Sequence, residues 1–297
     1  MEKEQLHRLS TEISNPKSKE MDTMEIHELL VLMNQEDENV IKTVRKAIPT
    51  IEQAVKQVIY ALENGGRLIY VGAGTSGRIG VMDAVECIPT FSTTDEVIAI
   101  MAGGEKAFAR ANEGAEDSAE LAAKDLENVR LKKEDVVLAI AASGRTPYCI
   151  GALKAAKEKG AACISLACNY HAAISVYADI AIEVDAGPEV LTGSTRLKAG
   201  TCQKLVLNMI STTAMVGIGK VYGNHMVDMK ATNHKLEDRA KRIIMESTQC
   251  SENQAVLALQ QADQSIKTAI VMLLTGASRE EAEQKLCKTK GFVKKCI

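Results

Sequence analysis

The chain has 297 residues, which is enough for one large domain or two ordinary ones. Its 36 Lys and Arg residues nearly balance its 39 Asp and Glu residues, and the net charge of −3 argues against a protein that grips nucleic acid or anionic lipid through bulk charge. A hydrophobic content of 46% excludes a disordered chain, and an aromatic content of 3% argues against a stacking platform for single-stranded nucleic acid. We therefore expect a folded protein with an aliphatic core and no nucleic-acid or membrane partner.

The cysteines and the N-terminal segment indicate the cellular compartment of the protein. The eight cysteines include no CxxC pair, and neither they nor the five histidines show the spacing of a metal site. The start of the chain is charged and lacks the apolar stretch of a secretory signal. No apolar run approaches the roughly 18 residues of a membrane-spanning helix. These features predict a soluble, reduced, cytoplasmic protein.

The first third of the chain begins with a polar arm and continues with helices. The stretch through Asp22 is rich in turn residues, which predicts an extended arm rather than a packed element. From Thr23 to about Ala47, apolar residues recur at three- and four-residue spacings, as one buried helix face requires. A second helix is predicted after Pro49, a residue that suits a first helical turn, and Asn64-Gly65-Gly66 ends it.

The hydrophobic pattern then becomes strand-like. Arg67 to Val71 is an apolar run that leads into a glycine loop and a helix, and Asp135 to Ala142 repeats the arrangement before a helix from about Pro147 to Lys159. Further predicted strands are Val97 to Met101, Cys163 to Cys168 and Ile180 to Val184. Unbroken aliphatic strands that alternate with helices predict an α/β fold with a doubly wound parallel sheet, flanked by helices on both faces.

The C-terminal part is helical throughout. Thr201 to Lys220 is predicted as one long helix, and beyond about Asn233 the composition is typical of short helices. Three of these are Asn253 to Leu259, Ser265 to Leu274 and Ser278 to Leu286. We expect a small C-terminal all-helical appendage, near the lower size limit for independent folding. The predicted division is an arm and helix over 1–47, an α/β domain over 48–232 and the helical appendage over 233–297.

Three clusters of glycine and hydroxyl residues are the strongest functional signal. Two of them follow predicted strands and the third precedes the long helix. Glycine allows close approach of the backbone to a ligand, and a helix N-terminus suits a phosphate. Because ligands of open α/β sheets bind beyond the carboxyl ends of the strands, the clusters predict a site for a small phosphorylated polyol. The expected binding residues are Gly74, Thr75, Ser76, Ser143, Arg145, Thr146, Ser194, Thr195 and Lys198.

Each cluster also has a simpler interpretation. The first cluster is not a Walker loop, because no Lys-Ser or Lys-Thr pair closes it. Its Gly-x-Gly-x-x-Gly match is weak evidence for a dinucleotide, since Glu96 precedes a predicted strand instead of ending one. Any one loop is equally explained as a plain β–α turn, and Arg196 and Lys198 as helix-end charges in water.

The chain resembles the N-acetylmuramic acid 6-phosphate etherases over essentially its whole length. The matching runs are Thr11 to Ser18, Gly72 to Arg78, Asp83 to Phe91, Glu113 to Asp117, Ala141 to Tyr148, Thr192 to Thr201 and Gly223 to Asp228. The resemblance implies a sugar isomerase (SIS) fold and a cytoplasmic, homodimeric lyase of cell-wall sugar recycling that needs no metal or other cofactor. It implies the conversion of N-acetylmuramic acid 6-phosphate and water into N-acetylglucosamine 6-phosphate and D-lactate.

Two glutamates follow from this resemblance as catalytic residues. It implies that Glu86 donates the proton to the departing lactate and that Glu116 is the second catalytic carboxylate, which we interpret as the base at C2. From its surroundings alone, Glu116 would be a residue on a solvated helix face. The neighbouring Asp83 and Asp117 are interpreted as lying outside the site.

Two departures from the family pattern lie between the two glutamates. Ile88 stands where the family usually has a proline, and the segment between Phe91 and Gly103 is one residue shorter than usual. Neither departure alters an acidic group. The shortened segment must therefore accommodate the changed spacing between Glu86 and Glu116.

Two other functions remain open at this point. A sugar-phosphate-sensing regulatory protein and an aldose–ketose isomerase would both use the same fold, and fold alone does not decide function. The etherase is favoured because Glu86 and Glu116 both accompany the family motifs. No helix-turn-helix pattern precedes the predicted sheet, as a regulator that binds DNA would require.

Overall fold

The structure is a computed structural model that describes residues 8–110, 113–229 and 234–297. Residues 1–7 of the predicted arm lie outside the described residues, as does the predicted domain boundary between residues 232 and 233. The described residues group into two compact units. The first unit contains those up to 84 and those from 95 to 211, and the second contains 85–94 and those from 212 onward. The division into three domains stays a prediction.

The first unit is built on a parallel sheet with the strand order β2-β1-β3-β4-β5. The strands are β1 (Leu68–Gly72), β2 (Val97–Met101), β3 (Val136–Ala141), β4 (Ala162–Ala167) and β5 (Ile180–Glu183). Each predicted strand is present with its ends shifted by at most one residue, and the predicted doubly wound parallel sheet is confirmed. The shortened segment after Phe91 still carries all five residues of β2 in register with β1.

The described residues form ten α-helices. They are α1 (Ile26–Glu63), α2 (Gly74–Phe91), α3 (Glu105–Ala109), α4 (Ala119–Asn128), α5 (Pro147–Lys159), α6 (Lys198–Gly217), α7 (His234–Thr248), α8 (Glu252–Gln261), α9 (Ile266–Thr275) and α10 (Arg279–Lys288). Short 3-10 helices lie at Pro16–Ser18, Glu113–Ala115, Ala173–Tyr177 and Val293–Lys295. Within the described ranges, no helix has both the length and the apolar character needed to cross a bilayer.

Side chains alternate between the two faces of the sheet and form its core. On one face, buried residues of β1 and β3 pack with α4 and α5. This cluster includes Ile69, Val71, Val137, Ala139, Tyr148 and Leu153. α4 and α5 can approach closely because Gly151 has no side chain. A Cβ on Gly151 would lie 2.4 Å from the carbonyl oxygen of Ala119. α5 ends as predicted, at Gly160 with a φ of 81°.

The prediction of two helices separated at Pro49 is wrong. α1 runs without interruption for 38 residues, with Pro49 on its exposed side. A proline inside a helix removes one backbone hydrogen bond and is unfavourable. Here the buried stripe continues through Ala47 and Ile51 on either side of the proline, so burial against the first unit favours a single helix.

The prediction of an unpacked arm is also wrong for the described part of the arm. Thr11, Asn15 and Ser18 are buried. The side chain of Asn15 accepts a hydrogen bond from the amide of Lys17 at 3.0 Å and caps the 3-10 helix Pro16–Ser18. The polar side chains find buried partners elsewhere in the first unit, which a local reading of composition does not reveal.

The second unit is a cluster of helices with its own core. α8, α9 and α10 correspond to the three predicted helices, and α7 precedes them. Its core residues include Ile244, Ala255, Leu259, Ile270 and Ala282. Ser251 and Ser278 form capping boxes at the starts of α8 and α10, so the helix boundaries are set by local sequence. The predicted C-terminal helices are therefore confirmed.

Most of the cysteines are buried, and all eight are present as thiols. In the first unit, burial raises the pKa of Cys149, Cys163 and Cys202 to about 12 and raises that of Cys168 strongly. A thiol that stays protonated at neutral pH is a poor nucleophile. Cys287 is exposed, and Cys250 is half-buried.

Candidate functional site

Two of the predicted binding loops lie side by side at the carboxyl edge of the sheet. β1 and β3 are parallel neighbours with Gly72 opposite Ile140, so the loops that follow them start at the same edge. β2 lies on the other side of β1, so the winding of the chain reverses at this pair of strands. Open α/β sheets bind their ligands at such a point. This edge is the candidate site.

The loop after β1 is so short that it becomes the first turn of α2. The helix begins at Gly74, two residues after β1 ends, and includes Thr75 and the buried Ser76. A Cβ on Gly77 would lie 2.8 Å from the carbonyl oxygen of Gly72, which leaves no space for a side chain. The first N–H groups of a helix have no partner inside it and carry the positive end of the helix dipole. This turn can therefore bind an anion.

The loop after β3 presents a hydroxyl and a guanidinium group. The amide of Arg145 donates to the hydroxyl of Ser143 at 3.3 Å. The Nε atom of Arg145 is buried and has no hydrogen-bond partner among the described residues. Gly144 has a φ of 70°, and a Cβ on it would lie 2.4 Å from the Cβ of Ala172. Thr146 follows in the N-cap position of α5, and its side chain makes no capping bond.

Glu116 lies next to this second loop. Its carbonyl oxygen accepts a hydrogen bond of 3.0 Å from the amide of Tyr148, in the first turn of α5. Its side chain is exposed. Burial raises the pKa of Cys149 to about 12, and the nearby carboxylate of Glu116 also acts in this direction. The predicted second carboxylate therefore lies at the start of the helix that the Ser143 loop leads into.

Glu86 lies on α2 with an exposed side chain, whereas its neighbour Asp83 is buried. The carboxylate of Asp83 accepts hydrogen bonds from the hydroxyl of Tyr70 at 2.8 Å and from Asn208 at 2.7 Å. Ser211 donates to it at 3.2 Å. These hydrogen bonds hold the side chain of Asp83 between β1, α2 and α6. Of the two acids, only Glu86 has a carboxylate that is accessible to a ligand.

The third predicted cluster leads into a helical turn that packs against the first cluster. Ser194 and Thr195 are half-buried, and the carbonyl oxygen of Thr195 accepts from the amide of Gly200 at 3.0 Å. A Cβ on Gly200 would lie 3.6 Å from Cγ2 of Thr75. The first turn of α6, to which Thr195 is hydrogen-bonded, is therefore packed against the first turn of α2.

The N-terminus of α6 already has an anionic partner. The buried carboxylate of Glu189 accepts hydrogen bonds from the amides of Lys198 and Ala199, both at 2.9 Å. Burial raises the pKa of Glu189, and these two amides act in the opposite direction. The first amides of α6 are therefore occupied, so they cannot receive a phosphate without displacing Glu189.

Lys198 is buried and its ammonium group is paired within the protein. Its Nζ lies 2.6 Å from a carboxylate oxygen of Glu36 on α1. Lys17 and Asn15 of the arm also donate to Glu36, at 2.8 and 2.9 Å. Burial by itself would raise the pKa of Glu36, but the hydrogen bonds from Lys17, Lys198 and Asn15 outweigh it and lower the pKa to about 2. This carboxylate is ionised at neutral pH.

Three residues near the site were missed by the sequence analysis: Glu36, Glu189 and Asn169. Asn169 donates to the carbonyl oxygen of Ala142, immediately before the Ser143 loop, at 3.2 Å. Glu36 and Lys198 are 162 positions apart. Glu36 and Asn169 bind partners that are distant in the sequence, and Glu189 binds the amides of Lys198 and Ala199, nine and ten positions on, without forming a recognisable motif.

No metal centre is apparent in the part of the chain that the structure describes. There, no three His, Cys, Asp or Glu side chains are grouped so that they could hold an ion. His225, in the second unit, has its Nε2 atom 3.7 Å from a carboxylate oxygen of Glu246. This contact is an ion pair only when the imidazole is protonated.

The comparisons with known proteins agree with the fold. Residues 115–216 match the model of the SIS domain, and residues 50–157 match that of the glucokinase regulatory protein N-terminal SIS domain. The solved phosphoheptose isomerase of Neisseria gonorrhoeae superposes with a TM-score of 0.51 at 19% identity, over 64% of this chain and 98% of that one. At this level of identity the likeness shows the fold alone.

Relatives of known name match along nearly the whole chain. The N-acetylmuramic acid 6-phosphate etherase of Geobacillus thermodenitrificans is 56% identical over 98% of this chain and 99% of its own. N-acetylmuramic acid 6-phosphate etherase 2 of Lactiplantibacillus plantarum is 54% identical over the same shares. The predicted resemblance is confirmed, and a regulatory protein is not favoured. The chain belongs to the N-acetylmuramic acid 6-phosphate etherase family.

Proposed function

We propose that the protein cleaves the D-lactyl ether of N-acetylmuramic acid 6-phosphate. The C3–O bond of the sugar breaks, the oxygen of one water molecule enters at C3, and the products are N-acetylglucosamine 6-phosphate and D-lactate. The observation that carries this proposal is the 56% identity to an etherase along 98% of the chain. An assignment to amino sugar catabolism of the cell wall follows from this substrate.

The chemistry calls for two carboxyl groups in different protonation states. Ring opening exposes the C1 aldehyde, which acidifies the C2 proton, and removal of this proton gives an enolate-like species. Lactate then leaves from C3 when its ether oxygen is protonated, and water adds to the resulting double bond. We assign Glu116 as the base at C2 and Glu86 as the acid that protonates lactate. The exposure of both side chains supports these roles, since each is accessible to a bound sugar.

The loops at the carboxyl edge supply the proposed phosphate site. Gly74, Thr75 and Ser76 offer the amides and hydroxyls of the first turn of α2, and a helix N-terminus favours an anion. Ser143 and Thr146 add hydroxyl groups, and the unpartnered Nε of Arg145 adds a cation. Ser194 and Thr195 complete the set. Because Glu189 occupies the first amides of α6, we place the phosphate at α2 and at the Ser143 loop rather than at α6.

Lactate release from N-acetylmuramic acid 6-phosphate by the purified protein tests the function. We expect turnover by the wild type, and we expect Glu86→Gln to abolish it while N-acetylglucosamine 6-phosphate still binds, because the amide cannot donate a carboxylic proton. Asp95→Asn, a change of an exposed acid in the first unit, is the matched control and should keep full turnover.

Each alternative function has its own outcome in this assay. Binding of a sugar phosphate with no lactate release by the wild type would indicate a regulator. Interconversion of an aldose and a ketose phosphate would indicate an isomerase. Near-normal turnover by Glu86→Gln would contradict the assignment of the acid.

We further propose a homodimer in which Glu86 serves the site of the second copy. Its neighbours Val85 and Ile88 on α2 are apolar side chains that are 53% and 50% exposed. A symmetric dimer formed over them would cover this apolar surface and would bring a second Glu86 to the contact between the two copies.

We place the enzyme in the cytoplasm. All eight cysteines are present as thiols, and oxidising compartments favour disulfides instead. The substrate also carries a phosphate, a group that intracellular sugar metabolism adds. Fractionation of the source cells, with lactate release as the readout, tests this location.

A further inference from the structure

The side chain of Glu36 joins three separate parts of the first unit. It extends from α1, is nearly fully buried, and accepts hydrogen bonds from the arm through Asn15 and Lys17 and from α6 through Lys198. Two ammonium groups and one amide therefore converge on one carboxylate. Burial of such charges is tolerated only when they are paired, so the three segments are fixed relative to each other.

Lys198 is held at both its main chain and its side chain. Its amide donates to Glu189, and its Nζ donates to Glu36. Only 2% of the residue is exposed, so its ammonium group does not face a ligand. The start of α6 is therefore fixed by two buried carboxylates, one bound to its backbone amides and one bound to the side chain of Lys198.

The position of α6 matters for the proposed phosphate site. The carbonyl oxygen of Thr195 accepts a hydrogen bond from the amide of Gly200, in the first turn of α6. A Cβ on Gly200 would lie 3.6 Å from Cγ2 of Thr75. A shift of this turn would move Ser194 and Thr195 and would disturb the packing of Thr75. The link from Glu36 to Lys198 thus extends to hydroxyl groups of two proposed binding clusters.

The arm makes a second connection to the site. Asn169 donates to the hydroxyl of Thr11 at 3.1 Å and to the carbonyl oxygen of Ala142 at 3.2 Å. Ser10 donates to Asp185, in the segment after β5, at 2.5 Å. The arm is therefore bonded to the segments that follow β4 and β5, and through Asn169 to the end of β3, next to Ser143.

We propose that Glu36 is a positioning residue of the enzyme, which orders the phosphate-binding clusters through Lys198 and the arm. Lys198 then acts through the start of α6 and makes no contact with the phosphate. The inference rests on the proposed etherase function. It adds that a group outside the pocket sets how tightly the phosphosugar binds.

The test compares Glu36→Gln, Lys198→Met and the double variant in the full-length protein. We expect Glu36→Gln to raise KM about tenfold with kcat changed less than about threefold, because ordering of the binding clusters affects ground state and transition state alike. Lys198→Met leaves Glu36 paired with Lys17 and Asn15 and should raise KM less. In the double variant KM should fall below that of Glu36→Gln, since the buried ammonium group that lost its partner is gone, and should stay above that of Lys198→Met, since the arm still lacks its carboxylate partner.

Arg67→Met is the matched control. It breaks another buried ion pair, in which Arg67 lies 2.7 Å from Asp135 at the opposite edge of the sheet. It should lower the melting temperature and leave KM unchanged. If Glu36→Gln behaved in the same way, with KM within about twofold of the wild type, Glu36 would have a purely structural role and the proposal would be wrong.

A direct role for Lys198 would give a different result. Lys198→Met would then raise KM more than Glu36→Gln does, and the double variant would show no recovery, which would overturn the proposal. If Glu36→Gln does not fold, Asn15→Ala and Lys17→Met test the same link, and unchanged KM in both would be equally decisive. The Lys17 side chain is 64% exposed, so its loss is compatible with folding.

The design separates this proposal from the proposed function. If the wild type released no lactate, the etherase assignment would fail. The role of Glu36 would then be tested by measuring the Kd of N-acetylglucosamine 6-phosphate by calorimetry. A weaker Kd in Glu36→Gln, with recovery in the double variant, would still support positioning, and unchanged Kd values would reject it.

Discussion

Ser143 illustrates how a single hydroxyl is prepared for a ligand. It follows β3 directly, accepts a hydrogen bond from the amide of Arg145, and lies near the start of α5. Its own proton is available for a phosphate oxygen. Arg145 contributes a buried Nε that has no partner among the described residues, and a buried donor without an acceptor is unfavourable. A bound anion would satisfy both groups.

We predict that Ser143→Ala raises KM about five- to tenfold and leaves kcat nearly unchanged. The phosphate is not altered during the reaction, so a contact to it stabilises ground state and transition state equally. Steady-state kinetics of lactate release measure both constants. Ser251→Ala, which removes the N-cap of α8 in the second unit, is the control and should leave KM at the wild-type value. A loss confined to kcat would contradict the role of Ser143.

Residues that pair with partners far away in the sequence are the ones whose roles could not be predicted from the sequence. Lys198 was expected to contact the phosphate, but the structure buries it against Glu36. The hydroxyls of Thr75 and Ser143 follow strands that their own sequence predicts, and a parallel sheet brings such loops to one edge. A buried ion pair depends on the folded arrangement of α1 and α6, which spacing along the chain does not contain.

At the scale of elements, the Ser143 loop depends on a close contact between two turns. Gly144 has a positive φ. A Cβ on Gly144 would lie 2.4 Å from the Cβ of Ala172, a residue in the segment after β4. The amide of Ile174 also donates to the carbonyl oxygen of Gly144 at 2.9 Å. The loop that carries Ser143 is therefore shaped by the segment that follows the neighbouring strand.

We predict that Gly144→Ala destabilises the protein by about 2–4 kcal/mol, because backbone strain adds to a steric clash. Gly65→Ala is the matched control. It has a φ of 78° and open space where its Cβ would be, so it should cost only the strain, about 1 kcal/mol. Chemical denaturation of both variants measures the difference. Equal losses would show that the contact with Ala172 contributes nothing.

The elements that the sequence predicted best are those with local causes. The five strands are short aliphatic runs, and α5 begins at a proline and ends at a glycine, so their limits follow from their own residues. The break at Pro49 was predicted wrongly because the local preference of proline was outweighed by burial along the rest of α1. The arm was predicted wrongly because Asn15 and Thr11 find their partners on α1 and after β4.

For the whole molecule, the proposed shared site makes a prediction that no single variant can test. Glu86→Gln and Glu116→Gln should each be inactive alone. If Glu86 serves the site of the second copy, a mixed dimer of the two variants contains one intact site and one doubly altered site. Random exchange should therefore restore about a quarter of the wild-type activity, since half of the dimers are mixed and each has one working site of two.

Lactate release after the two variants are unfolded and refolded together measures this recovery. Differently tagged chains confirm that mixed dimers have formed. Mixed dimers without activity would show that each site uses Glu86 of its own chain. A monomer in analytical ultracentrifugation would remove the proposal of a shared site altogether.

The distribution of sulfur in the fold has a practical consequence. Cys149, Cys163, Cys168 and Cys202 lie inside the sheet unit, where a maleimide reagent cannot reach them, while Cys287 lies at the surface of α10. A fluorophore or spin probe added to the unmodified chain would attach chiefly to the helical C-terminal unit and leave the proposed binding loops chemically untouched. The native protein thus already offers an attachment point for a spectroscopic probe in its second unit.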